Sequence, residues 1–394
     1  MSYLGIQQPV LPRIFSEWEK RCGKPGVFGV PVLLIFGFLC YLWGESLPAE
    51  DVIRLADGSC LTGTVESVTA ADGIALKQTD GKTVFVPCTQ MKRIETERTM
   101  SHQQGDELFD QGLSSSDSGK LRQALELYQK ARKSDEKRIW VRQWLTWKIV
   151  RCHAALGQDA EAGAEFLVLC QTDSFLPPIY LSSIPLVWTS DFSRLSDPRQ
   201  KQLEQLAVSW LDIETKSKTP KPGETNPERE VSGNTKSNPA GKLLAASLLL
   251  DSQTYREKAL QTLQTLVLYE SPDPDSADLN EFARSVSLLA TTQLWRLKAR
   301  QRPSESEVNF WRQTVERLPG ELQVGPFLLV GKGYQGLELP SKAVPVLLRA
   351  ALLSSDRKTV AQSAFSLSIE ILKRQGQTEE AFRLEQEFLR KIPK

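Results

Sequence analysis

Residues 326–350 read PFLLVGKGYQGLELPSKAVPVLLRA, and their interpretation decides the fold. Gly331-Lys332-Gly333-Tyr334-Gln335-Gly336 is a literal GxGxxG after an apolar run, the pattern of a dinucleotide-binding turn. Such a turn needs a helix opening at the glycines, a second strand and an acidic residue about 20 positions on. Here Leu337-Glu338-Leu339-Pro340 reads as a turn, and the region near residue 353 reads as helix. The other interpretation is a helical hairpin. It places Phe327, Val330, Gly331 and Tyr334 on a first helix, and Ala343, Leu347 and Ala350 at i, i+4 and i+7 on one face of a second. Only the hairpin accounts for Gly331 and Tyr334 together, so the nucleotide site is rejected.

The same spacing recurs along the chain. GKLRQALELYQKARK, residues 119–133, puts Ala124, Tyr128 and Ala131 on one helix face. Gly157-Gln158-x-x-Glu161-Ala162 with Phe166 follows 38 residues after Gly119, and Gly376-Gln377-x-x-Glu380-Ala381 with Phe388 and Pro393 closes the chain. A bulky residue, a small residue and a tyrosine on a first helix, then alanine, aromatic and alanine on a second, resemble the tetratricopeptide repeat. The resemblance is strongest over 105–174 and 322–394. The 38-residue spacing exceeds the family's usual ~34. It implies hairpins drawn together by small residues such as Gly331, Ala343 and Ala350, with Tyr334 filling the space between neighbouring hairpins.

Between these stretches lie KLLAASLLL with YREKALQTLQTLVLY, and amphipathic helices over 279–300 and 307–318, the latter opened by a Ser304-x-x-Glu307 capping box. Leu203, Leu206, Trp210 and Leu211 mark a further helix starting at Asp197-Pro198, whereas the prolines of 175–190 should break regular stacking. Residues 214–241 are rich in Pro, Gly, Thr and Lys and read as a disordered linker.

Ahead of the helices, residues 51–96 break into short Val-, Ile- and Thr-rich runs separated by Asp57-Gly58, Asp72-Gly73 and Asp80-Gly81. Asp-Gly supports the positive φ of tight hairpin turns, and Ile53/Leu55, Ile74/Leu76 and Val84/Val86 alternate along the runs. Five strands in this length resemble a small Sm-like barrel, expected to dock on the following helices because it lies near the lower size limit for independent stability. Its aromatic and basic content is limited to Phe85 and Lys92-Arg93, which does not suit RNA. Gly81-Lys82-Thr83 is not a phosphate loop, since Leu76 stands where a glycine is required.

Residues 27–43, VFGVPVLLIFGFLCYLW, carry no charge. Arg13, Lys20, Arg21 and Lys24 precede them, and Glu45, Glu50 and Asp51 follow. This apolar run reads as a signal peptide or membrane anchor with its basic flank in the cytoplasm and the rest of the chain outside, which predicts a cell-envelope location. Cys60, Cys88, Cys152 and Cys170 could then pair as 60–88 and 152–170, or stay as buried thiols.

The predicted protein is mainly α. Residues 1–49 are the signal or anchor with one apolar helix, 50–97 a five-stranded β-barrel, 104–213 the N-terminal helical repeats, 214–241 the linker and 242–394 the C-terminal repeats, forming a solenoid in two parts. The 394 residues carry 49 Lys+Arg and 48 Asp+Glu, a balance that argues against a nucleic-acid partner. Two histidines, at 102 and 153, exclude a multi-histidine metal centre and weigh against general-base catalysis. His102 is expected in a solvated polar joint, and His153 to be packed where the repeat has tyrosine. No catalytic residue, metal or cofactor is assigned.

Trp140, Trp144 and Trp147 share one helix face at i, i+4 and i+7. The repeat resemblance implies that Trp144 and Trp147 line the concave groove with Arg151, as anchors for a protein partner; Glu370, Lys373 and Arg374 are the corresponding positions of the last hairpin. The expected function is a non-catalytic, extracytoplasmic scaffold that binds another protein through its repeats. The alternative is an envelope glycan- or peptide-recognising module using the β-barrel, with the repeats as its frame.

Overall fold

The Asp-Gly turns behave as their chemistry requires: Gly58, Gly73 and Gly81 adopt φ of +89°, +90° and +83°. The structure, a computed structural model, describes residues 51–55, 57–69, 73–87, 90–95, 98–134, 138–171, 178–188, 198–211, 238–271, 277–354 and 356–391. The expected apolar helix at 27–43 therefore lies outside the described residues, as do Cys88 and the linker from 212 to 237. Among the described residues no helix is long and apolar enough to cross a membrane.

Strands β1 (Asp51–Leu55), β2 (Cys60–Thr69), β3 (Gly73–Lys77), β4 (Thr83–Val86) and β5 (Met91–Glu95) form an antiparallel sheet in the order β4-β3-β2-β1-β5. The sheet is open, which corrects the expected barrel: β4 and β5 are its two edges. Closure would need a long free edge on β4, but this strand has four residues and ends against Pro87, which has no N–H to donate. The simple alternation also fails at β3, where Ile74, Ala75 and Leu76 are all buried, so the strand is covered on both faces. Ile53, Val65, Ile74, Leu76 and Val86 make the small core, with Trp140 packed against it. Asp51, fully buried, accepts a hydrogen bond from the Val65 N–H at 2.9 Å and lies 3.9 Å from Arg138.

The remainder is helical. Helices α1 (Met100–Ser115) and α2 (Ser118–Ser134) form the first hairpin, and α3 (Ile139–Leu156) with α4 (Asp159–Gln171) the second. After the short helix α5 (Pro178–Leu181) the chain runs irregularly to Trp188, as its prolines predict. Helices α6 (Pro198–Trp210), α7 (Pro239–Leu249), α8 (Arg256–Val267), α9 (Ala277–Ala299) and α10 (Glu305–Val315) follow. The chain then forms α11 (Val324–Gly336) with α12 (Pro340–Leu353), and α13 (Lys358–Arg374) with α14 (Thr378–Lys391). The capping box is present at α10: the Ser304 hydroxyl accepts from the Glu307 N–H, and the Glu307 carboxylate accepts from the Ser304 N–H.

The expected linker extends too far at its C-terminal end. Asn238 caps α7, accepting from the Ala240 N–H at 2.9 Å, and Asn238, Pro239, Ala240 and Gly241 are all buried. Pro at the first helical position and a glycine against the Trp210 ring are helix-start and packing features, although their composition reads as linker.

The close approach inferred at Gly331 is present. A Cβ there would lie 2.4 Å from Leu347 Cδ2, and the glycines of the GxGxxG sequence sit in the last part of α11 instead of opening a helix. Tyr334 is fully buried and its hydroxyl donates to Asn309 Oδ1 of α10 at 2.6 Å, so it joins one helical pair to the element before it. Ala124, Tyr128 and Ala131 of α2 and Ala343, Leu347 and Ala350 of α12 are likewise fully buried. One large core runs from Trp147 of α3 through α4, α6, α7 and α9 to α13, so the two sides of the linker share their apolar interior. Contacts between α3 and α13 bring the early and late parts of the chain together.

Candidate partner-binding face

The face in question is carried by α3, IWVRQWLTWKIVRCHAAL. Its apolar residues run all round, the pattern of a helix enclosed by neighbours, and most of its side chains are buried. It contributes to all three cores: Trp140 to the sheet, Val141, Leu145 and Ile149 to the first hairpin, and Trp147, Val150 and Ala154 to the large core.

The three predicted site residues are brought together, in different environments. Trp147 is 4% exposed and stacks on Tyr180 with ring centroids 5.6 Å apart and planes 26° from parallel. Trp144 is half-buried, 4.8 Å from Trp147 and 6.4 Å from Tyr180. Arg151 lies against the Phe109 and Trp147 rings at 4.9 and 5.1 Å, and its Nε donates to Asp356 Oδ2 at 3.1 Å. Lys148, whose side chain is mostly buried, stands 5.4 Å from the Trp144 ring and 5.7 Å from that of Trp147. Trp147 is thus an internal support, Arg151 a tie to the loop before α13, and Trp144 the member that reaches the surface. At the last hairpin, Lys373 pairs with Glu385 and Arg374 with Glu370, all on the outside of the molecule.

Beneath Lys148 lies a polar cluster on α1 and α2. Asp106 accepts from the Tyr128 hydroxyl at 2.7 Å, from Lys148 Nζ at 3.0 Å and from Arg98 at 2.9 Å, with His102 Nε2 3.7 Å away. Burial alone would raise the Asp106 carboxyl, but the Lys148 charge and the bonds from Tyr128 and Lys148 outweigh it and hold it below its ordinary value. Burial, reinforced by the Asp106 charge, pushes the Tyr128 phenol far above its usual range. Burial also pushes the Cys152 thiol up to about 12, with Lys148 and Arg151 offsetting only part of that. Cys152 is therefore a protonated, unreactive thiol at neutral pH.

His102 is only 2% exposed, which corrects its expected place in solvent. The reason is helix register. Thr99 caps α1 by accepting from the His102 N–H, so the helix starts at Met100 and His102 falls on the same inward face as Gly105, Phe109 and Gly112. That spacing is visible in the sequence; the early start is not. His153 is packed as expected, with Nδ1 2.7 Å from Gln158 Oε1. Cys152 and Cys170 are separate buried thiols and Cys60 is an exposed one, so the 152–170 pairing does not form. Among the described residues no group of His, Cys, Asp and Glu is placed to hold a metal ion.

Against this geometry, neither the protein-family models nor the curated proteins give a match to the chain.

Proposed function

We propose that the protein is a non-catalytic scaffold of the cell envelope that binds another protein through tetratricopeptide-like helical hairpins, with Trp144 as the contact residue. The observation that carries this reading is the rigid presentation of Trp144. A half-buried indole, backed by Trp147 and Tyr180 and flanked by Lys148, has little rotamer freedom left to lose on binding. Such preorganised aromatic anchors dominate interface energies. The repeat assignment is supported by the Gly331–Leu347 approach and the buried Tyr334, and the envelope location by the charge-flanked apolar run at 27–43.

The test is partner capture by the full chain from an envelope extract, compared with Trp144→Ala at matched thermal stability. A specific partner whose affinity falls at least about thirtyfold in the variant, the ~2 kcal/mol hot-spot threshold, supports the reading; equal capture would falsify it. Trp147→Ala is a poor substitute, because it removes an internal support.

The glycan or peptide reading is favoured by one feature, Phe85, which is 68% exposed on the edge strand β4. Binding of envelope glycan or an extended peptide that is lost in Phe85→Ala, with Trp144→Ala silent, would select that reading.

A further inference from the structure

Helix α14, TEEAFRLEQEFLRK, has two apolar sides. Ala381 is fully buried, and Leu384 and Phe388 pack inward on the large core, with Phe388 5.6 Å from Phe365 of α13. Phe382 and Leu389 lie about 120° round the helix from that inward face and remain 60% and 45% exposed. Seven residues apart on a helix is about 20° of rotation, so these two side chains form one ridge along this second side. The rest of the exposed surface of this helix is polar, with Glu379, Arg383, Gln386 and Arg390 in solvent, so the ridge is an apolar strip beside a charged face.

The charges beside the ridge choose the occupant. At about 100° per residue, Glu379 and Arg390 flank it on the same side, one in the first turn and the other in the last. Within the chain they pair with Arg383 and Glu387, and all four side chains keep much of their surface in solvent. Acid at the start and base at the end also suit the helix dipole. The pattern is additionally self-complementary when the helix is laid against a reversed copy of itself. Across a two-fold axis Phe382 meets Leu389 of the second copy, and Glu379 meets its Arg390, twice over.

We propose that α14 is a self-association surface, at which two copies of this chain pack their α14 helices antiparallel through Phe382 and Leu389, with reciprocal Glu379–Arg390 pairs at either end. The occupant is a second copy, because one reversed helix satisfies the ridge and the flanking charges at the same time.

Analytical ultracentrifugation of the detergent-solubilised full chain, over a range of concentrations, tests this. The wild type should dimerise, and Phe382→Asp should weaken the dimer at least tenfold with an unchanged helical signal. Glu379→Arg and Arg390→Glu should each weaken self-association. An equimolar mixture of these two variants should recover it as a heterodimer. At one end the introduced arginine of the first variant would face the introduced glutamate of the second, and at the other end the native Arg390 and Glu379 would still face each other. Recovery on mixing cannot come from the intrahelical pairs, because the pair that each substitution breaks stays broken in the mixture. A wild type that stays monomeric, a dimer indifferent to Phe382→Asp, or single variants that do not recover on mixing would each overturn the proposal.

Discussion

Arg151 donates to Asp356 across 205 residues of sequence, tying α3 to the start of α13, and its guanidinium also lies on the rings of Phe109 and Trp147. Both side chains are about three-quarters buried, so the pair is screened less than a surface salt bridge. A double-mutant cycle with Arg151→Ala and Asp356→Ala, read by urea unfolding, should give a coupling energy of about 1 kcal/mol. Arg151→Ala alone should cost more than Asp356→Ala, because it also removes contacts worth about 0.5–1 kcal/mol each with the two rings. Equal single costs with no coupling would show that the tie is only geometric.

The glycines of the GxGxxG stretch give an internal comparison. Gly331→Ala places a methyl 2.4 Å from Leu347 Cδ2 and should destabilise by about 1–3 kcal/mol through overpacking. Gly336 has nothing within 4 Å of an added Cβ, so Gly336→Ala should be neutral or stabilise by up to about 1 kcal/mol. Thermal melts of the two variants decide this. A nucleotide-binding role would instead leave melting nearly unchanged and alter ligand binding.

Asp106 should set the acid limit of the first hairpin. Its folded carboxyl is held below the 3.8 of the free group, so the folded state binds its proton less readily than the unfolded state does. The stabilisation is then complete above about pH 5 and is lost as pH falls through 3.8 and the lower folded value. Asp106→Asn should cost about 1.5–3 kcal/mol at pH 7, the range for hydrogen bonds to a charged group. The gap from wild type should narrow progressively below about pH 4, where the carboxyl begins to take up its proton. A gap that stayed constant through that acid range would count against the depressed carboxyl.

The helical body is legible because its signal is local. Small and bulky apolar residues at i, i+4 and i+7 in α2 and α12 line one face that turns inward, and the Ser304 capping box marks its own helix start. Asp-Gly turns locate the strands for the same reason. What composition and period do not show is which groups meet at long range. Nothing near Asp356 in sequence announces Arg151, and nothing near Tyr128 announces Asp106. The site residues stand together because they share one helix, yet their exposure depends on Tyr180 and Phe109, which come from other elements. The barrel expectation fails at closure, which depends on how two edge strands end and not on how many strands there are.

Trp140 belongs to the cores of both the sheet and the first hairpin, while its own helix continues into the large core through Trp147. During synthesis, a chain released only as far as β5 would therefore hold a sheet still lacking part of its apolar cover, and that cover would arrive about 45 residues later. At ~5–20 residues per second the nascent sheet waits several seconds with its inner face open to whatever the exit site or a holding chaperone presents.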